Sequence, residues 1–403
     1  MDKPSMTKKL THESYLNHAE NTWQQELQMS IRNLDGLIGT LESVHPNVMN
    51  TTWADRIRKA KAAEADLQNQ FRFSVTRSYL SAAQPHNERC PILGQILPSV
   101  AETNDTVFAS VDPLAEENHM PVPGLTHRYP DRVLWYLSHH CAVYCRFCMR
   151  KRKVSQSDTA PGRSDIEKAF QYIENHTELH EVILSGGDPL SLGDDMLDMI
   201  LQRLRAMDHI VSVRIHSRMP VTLPSRFTDS LVQILSRYSP LTLVTHFNHS
   251  VEIGEASKAA LTKLRQAGIM LLNQSVLLRN INDSIDDLKG LFLTLIKSGV
   301  KPYYLHQCDE VKGVSHFRVP ISRGIALMKS LRGRIPGIAL PLYVVDLPGG
   351  GGKVPVDSSY QVVAEIHDDV ERYSFLNYAG LQFDLSEFQS ADGVVRQEVQ
   401  SGV

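Results

Sequence analysis

The chain has 403 residues, 42% of them hydrophobic, enough to bury a large core as one α/β domain with extensions or as two domains. A net charge of −3 leaves no overall electrostatic footprint for nucleic acid, and no apolar run approaches the roughly 20 residues that cross a bilayer. The first 25 residues are polar and mixed in charge, which excludes a secretory signal, so a cytoplasmic protein without nucleic-acid or membrane partners is expected.

Residues 1–111 make a first, mostly helical unit, with strong helix formers crowded into 53–71 and no chemical motif of their own. The stretch 112–132 is rich in proline and reads as an extended lead-in. From residue 133, apolar runs at 133–137, 181–185, 210–216, 241–245, 269–276 and 302–307 alternate with predicted helices at 164–175, 194–207, 228–238, 255–267 and 284–298. This strict alternation predicts an α/β unit over 112–310, a partial (βα)6 TIM-like barrel with both faces of its parallel sheet covered. In such a barrel, chemistry sits on the loops that leave the C-terminal ends of the strands. Residues 311–403 form a C-terminal extension: a helix at 322–331, a strand-like run at 340–345, a glycine-rich turn, a hairpin pattern at 373–376 and 381–385 around Gly380, and a polar, frayed tail.

Three of the five cysteines, Cys141, Cys145 and Cys148, crowd into one CxxxCxxC loop directly after the first barrel strand. That is no disulfide framework; it points to metal or cluster ligation in a reducing compartment. Three thiolates can hold three irons of a cubane cluster and leave the fourth iron open to a ligand. A structural zinc site completed by His139 or His140, or buried free thiols, is the alternative. The basic run Arg150, Lys151, Arg152 and Lys153 that follows reads, taken alone, as a solvated face.

The second strand ends in Ser185, Gly186, Gly187 and Asp188, where glycines permit close backbone approach to a ligand and a carboxylate can accept from an ammonium. Near the C-terminus, Asp346-Leu347-Pro348 precedes four glycines and Lys353. Four glycines can wrap a phosphate with their N–H groups, and a lysine held there can form a Schiff base with an aldehyde cofactor. A flexible linker with a solvated lysine is the alternative, opposed by the apolar, strand-like flanks on both sides.

The CxxxCxxC loop with Phe147 before its last cysteine, followed one strand later by GGD, resembles the radical S-adenosylmethionine superfamily. With PGGGGK added, the chain resembles lysine 2,3-aminomutase through HRYPDRVL, LSGGDPL, VRIHSRMPV, THFNH, NQSVLLR and YYLHQCD, in order over residues 112–355. The resemblance implies an isomerase that shifts the α-amino group of a basic amino acid, L-lysine first and arginine or another basic amino acid as the alternative, to the β carbon. A different radical S-adenosylmethionine enzyme and a non-catalytic cluster protein are the remaining readings. It implies a 4Fe-4S cluster on the three cysteines, S-adenosylmethionine, pyridoxal phosphate on Lys353, an electron donor such as flavodoxin or ferredoxin, and a homo-oligomer. By the same resemblance, Arg128, Tyr129 and Arg132 hold the pyridoxal phosphate. Ser185, Gly186, Gly187, Asp188, His246 and Gln274 meet S-adenosylmethionine, and Arg150 pairs with the substrate carboxylate. Asp309 and Asp346 match the pair that binds the distal ammonium of lysine, a pair that the family's glutamate-specific members lack. The chain departs from the family in having no cysteine after Cys308, where the lysine enzymes carry cysteines for a structural zinc.

Overall fold

In the computed structural model, residues 22–154 and 160–356 are described with their side chains, followed by the backbone of four strands between 361 and 399. Strand β1 (Leu125–Tyr129) runs antiparallel to β2 (Arg132–Ser138). Then β3 (Glu181–Gly186), β4 (Ser212–His216), β5 (Thr242–Thr245), β6 (Met270–Leu277) and β7 (Lys301–Gln307) each add parallel to the strand before. These are the six expected barrel strands. Two more extend the sheet: β8 (Leu342–Leu347), parallel to β7, and β9 (Gly352–Pro355), which folds back antiparallel on β8. The resulting sheet has nine strands in chain order. Its first and last strands are bridged by a side chain, because the backbone N–H of Lys353 donates to the Tyr129 hydroxyl at 2.7 Å.

Helices Arg163–Asn175, Asp194–Arg205, Asp229–Arg237, Glu255–Gln266 and Ile285–Lys297 fill the gaps between the parallel strands, close to their expected bounds. Each buries one apolar stripe, such as Leu197, Ile200, Leu201 and Leu204, at the three- and four-residue spacing that puts side chains on one helical face. Thr228 and Ser284 cap two of them by accepting the N–H of the third residue on. Among the described residues no helix is long and apolar enough to cross a membrane.

Residues 53–71 are helical as expected, in two helices, Thr52–Ala62 and Glu64–Gln70, that meet at Ala63. The junction brings the Glu64 carboxylate to the Leu34 N–H at 2.9 Å, where it satisfies one of the free donors that open the helix Leu34–Val44. The hairpin arms are longer than expected, Val370–Leu376 and Gln382–Phe388, and belong to a four-stranded antiparallel sheet with Gln361–His367 and Arg396–Val399, the last within the tail read as frayed. Gly380, expected at the turn, lies outside the described residues.

The N-terminal helical region, which offers no motif, grips the cysteine loop. Tyr144 N–H donates to the Ser74 carbonyl and Arg146 N–H to the Gln95 carbonyl, both at 2.9 Å. The Arg146 side chain is fully buried and forks onto Glu102 at 2.6 and 2.9 Å, and Lys151 reaches the same carboxylate at 3.1 Å. The basic run is therefore no solvated face: Arg150 and Lys151 are paired inside the protein, and Arg152 and Lys153 meet Asp112 and Glu117. Because Glu102 answers two buried cations, Glu102→Gln should destabilise the fold by about 3–5 kcal/mol. A lowered thermal midpoint would register that loss, and Glu102→Asp should keep part of it. An unshifted midpoint for Glu102→Gln would mean that the triad contributes nothing net.

Candidate active site

Side chains alternate across a strand, so every second residue of each barrel strand faces inward. On β3 these are Glu181, Ile183 and Ser185; on β4 Ser212, Arg214 and His216; on β7 Tyr304 and His306. They line a cavity of about 800 Å³ that also takes in all three loop cysteines, Asp309, Asp346 and Lys353.

At one end stand the cysteines. Burial raises the Cys141 thiol well above its usual range, with Asp188 and the other two thiols adding to the effect; burial and Cys145 push Cys148 up to about 11. Three thiolates could share this pocket only beside concentrated positive charge, which iron would supply. Among the described residues no three His, Cys, Asp or Glu side chains are grouped to share one metal ion. A cubane bonds each cysteine to a different iron and leaves the fourth iron without a protein ligand. The Cys145 sulfur accepts from Arg218 Nη1 at 2.6 Å. The remaining N–H groups of Arg218 reach the His246 carbonyl, Gln95, Glu252 and the Tyr79 hydroxyl, so the N-terminal region supports the loop through its side chains as well.

Beside the cysteines lies the Ser185–Asp188 turn. A Cβ on Gly186 would fall 2.5 Å from the Ser138 carbonyl oxygen and one on Gly187 2.5 Å from that of His140. These glycines thus admit the cysteine loop, where close approach to a ligand was expected. The Asp188 carboxylate is engaged as well, accepting from Leu190 N–H and the Ser217 hydroxyl at 3.0 Å and from Arg218 N–H at 2.8 Å. It ties β4 to this turn, so its expected contact with an ammonium would have to be shared with those donors. Burial raises it to about 6. His246 and Gln274 line the cavity as expected; burial keeps His246 neutral, and its buried Nε2 has no partner among the described residues.

At the other end is Lys353. Strands β8 and β9 form a hairpin in which Asp346 lies directly opposite Lys353 and Leu347 opposite Gly352, leaving a four-residue loop, Pro348 to Gly351. The seven-residue spacing of the acid and the lysine is the span of that hairpin. Gly349, Gly350 and Gly352 adopt φ of 66°, 85° and 89°, the left-handed region that glycine enters freely. Two of the loop's N–H groups are engaged within the protein, Gly349 N–H donating to the Pro113 carbonyl and Gly351 N–H to that of Pro348. This is no linker with a solvated lysine: Lys353 Nζ contacts Asp346 and lies 3.2 Å from His306 Nδ1. Arg128 reaches Asp346 at 3.7 Å, and the Arg132 guanidinium lies 3.8 Å from the Tyr129 ring centre, so the four residues expected around pyridoxal phosphate gather here. Arg214, bonded to Glu181 at 2.6 Å, keeps a buried Nε with no partner among the described residues. This cationic end fits a phosphate, which takes several charge-assisted donors.

The residues expected to hold substrate, Arg150, Asp309 and Asp346, line the same cavity. Burial, helped by the charge of Asp346, lifts Asp309 to about 7. Asp346 goes the other way: against burial, hydrogen bonding by His306 and the charge of Lys353 hold it well below the carboxylate range. The Nε and Nη2 of Arg150 are engaged by Glu116 at 2.6 to 3.2 Å. Glu116, buried and unforeseen, comes from the proline-rich lead-in. His216, Arg214 and His306 were also missed as lumen residues, although polar residues alternating with Val213 and Ile215 in SVRIHSR signal an inward face.

Two family models match the chain, Radical SAM superfamily over residues 135–291 and Lysine-2,3-aminomutase over residues 328–381. The L-lysine 2,3-aminomutase of Methanococcus maripaludis is 43% identical over 357 residues, 88% of this chain and 80% of that protein. That of Clostridium subterminale is 45% identical over 306 residues, 76% of this chain and 73% of that one. The glutamate 2,3-aminomutase of Clostridioides difficile is 37% identical over 350 residues, 87% of this chain and 80% of that protein.

Proposed function

Because the chain belongs to the lysine 2,3-aminomutase family, we propose that it moves the α-amino group of L-lysine to the β carbon and that the barrel cavity is where it does so. The cluster and S-adenosylmethionine supply a radical when bound, and pyridoxal phosphate makes the amino nitrogen able to migrate. The chain's own residues align these groups. Cys141, Cys145 and Cys148 hold the cluster, while Ser185 to Asp188, His246 and Gln274 border S-adenosylmethionine. Lys353 anchors pyridoxal phosphate beside Arg128, Tyr129 and Arg132. Arg150, steadied by Glu116, receives the substrate carboxylate. A donor of the flavodoxin or ferredoxin type supplies the electron that reduces the cluster; because the isomerisation is redox-neutral, that electron is returned to the cluster as each cycle closes. The protein works in the cytoplasm as a homo-oligomer.

The observation that carries the choice of a basic substrate is the presence of two acids, Asp309 and Asp346, on the wall of one cavity. Asp346 already holds an ammonium, that of Lys353. The distal ammonium of lysine presents the same chemistry to this carboxylate. Removing one acid costs a charge-assisted hydrogen bond worth about 1.5–3 kcal/mol, so each single substitution should lower kcat/KM about ten- to a hundredfold. Asp309→Lys combined with Asp346→Asn should shift the ratio of kcat/KM for lysine and glutamate toward glutamate, even at poor turnover. An unchanged ratio would remove the basic-substrate assignment and leave the aminomutase standing.

A further inference from the structure

We infer that His306 is a catalytic proton carrier for attaching the aldehyde cofactor to Lys353; the inference rests on Lys353 being the cofactor lysine. His306 Nδ1 stands 3.2 Å from Lys353 Nζ and 3.3 Å from Asp346 Oδ2, and Nζ also contacts that Oδ2, so ammonium, imidazole and carboxylate form a triangle. The ring lies edge-on to Tyr304 at 5.6 Å, and its Nε2 is buried with no partner among the described residues.

A lysine ammonium cannot attack a carbonyl; it must first lose a proton, and within the barrel that proton needs a local acceptor. Asp346 is a poor one, because the Lys353 charge beside it holds its carboxylate in the ionised form. Among the described residues the imidazole is the remaining base within hydrogen-bond reach of Nζ. Burial and the Lys353 charge keep it neutral, and with its hydrogen on Nε2 it accepts at Nδ1 and donates to Asp346 only after the proton has moved. When the proton passes from Nζ to Nδ1, the positive charge stays within 3.3 Å of Asp346, so the ion pair is relocated and not broken. The lone pair freed on Nζ forms the bond to the aldehyde carbon, the carbonyl oxygen leaves as water, and His306 returns its proton to the linking nitrogen. The sum is lysine ammonium plus aldehyde giving a protonated C=N linkage plus water, with His306 regenerated. Accepting at Nδ1 requires the ring hydrogen on Nε2, the nitrogen buried at the cavity wall.

The test uses cofactor-free, full-length protein mixed with pyridoxal phosphate. Its readouts are the absorbance change on linkage and borohydride trapping located by mass spectrometry. His306→Asn keeps a polar group near the Nδ1 position and cannot relay a proton; His306→Ala opens space for added imidazole. The expected result is a rate at least about a hundredfold slower in both variants, with final occupancy close to wild type and with imidazole restoring the rate of His306→Ala. Attachment by His306→Asn at the wild-type rate would overturn the role. So would reduced final occupancy with an unchanged rate, the pattern of a residue that only shapes the site. Wild-type protein that gives no adduct on Lys353 would instead refute the anchoring role of Lys353, so the two failures are distinguishable.

Discussion

Lys353→Ala is expected to reduce isomerisation to background while leaving a protein that still assembles its cluster and cleaves S-adenosylmethionine. The separation follows from the barrel. The cysteine loop leaves β2, whereas Lys353 stands on β9 beyond β8, and the two share the cavity without sharing partners. The hairpin should survive the loss, because β9 is held by backbone pairing from Val344–Pro355 to Leu347–Gly352, and the N–H that meets Tyr129 is a backbone group. Asp346 would keep Arg128 and His306 as neighbours. Borohydride should then leave no pyridoxyl adduct, and no β-amino product should form, while iron content and S-adenosylmethionine cleavage stay near wild type. Normal isomerisation by Lys353→Ala without an added amine would refute the anchoring role.

Cys145→Ala should be as severe at an earlier stage, because one missing thiolate leaves an iron of the cubane without its protein ligand. Iron content should fall, the spectrum of the reduced cluster should vanish, and S-adenosylmethionine should remain intact. The same holds for Cys141 and Cys148. Cys145 has a second duty as acceptor for Arg218, whose other N–H groups are already engaged. Cys145→Ser keeps an acceptor there and separates loss of the cluster from loss of that hydrogen bond. Cys90→Ala and Cys308→Ala should both keep the cluster, since Cys90 is buried among the N-terminal helices and Cys308 lies beyond β7, off the cysteine loop. Full cleavage by iron-free Cys145→Ala protein would refute the radical assignment.

The strands and helices of the barrel were legible because each carries its own signal: a short apolar run or an apolar stripe at helical spacing. The cysteine loop and Lys353 were legible because their chemistry is written in adjacent residues. What could not be read is what the curvature of the sheet assembles. Arg214 and His306 are ordinary polar residues on separate strands until the sheet bends and turns them toward the same space. Glu116 gives no local sign that it meets Arg150, since that pairing depends on where the lead-in lies against the cysteine loop. The glycines were noticed as ligand contacts, and the fold adds a structural duty to that reading. Gly186 and Gly187 make room for backbone, and those of the Lys353 loop make a turn, both of which depend on long-range neighbours.

The hairpin that carries Lys353 also makes its glycine tract a measured length. Loss of a single glycine codon, in frame and chemically trivial, would leave three residues where four now connect Leu347 to Gly352, or would slide β9 by one place. A slide of one residue turns every side chain of a strand to its opposite face, so Lys353 would point out of the barrel and Val354 into it. Exchange of a glycine for alanine is a gentler lesion, felt most at Gly350, where the new methyl would meet His119. In this tract the genome therefore keeps a count as well as a composition, and the count sets which way the lysine faces.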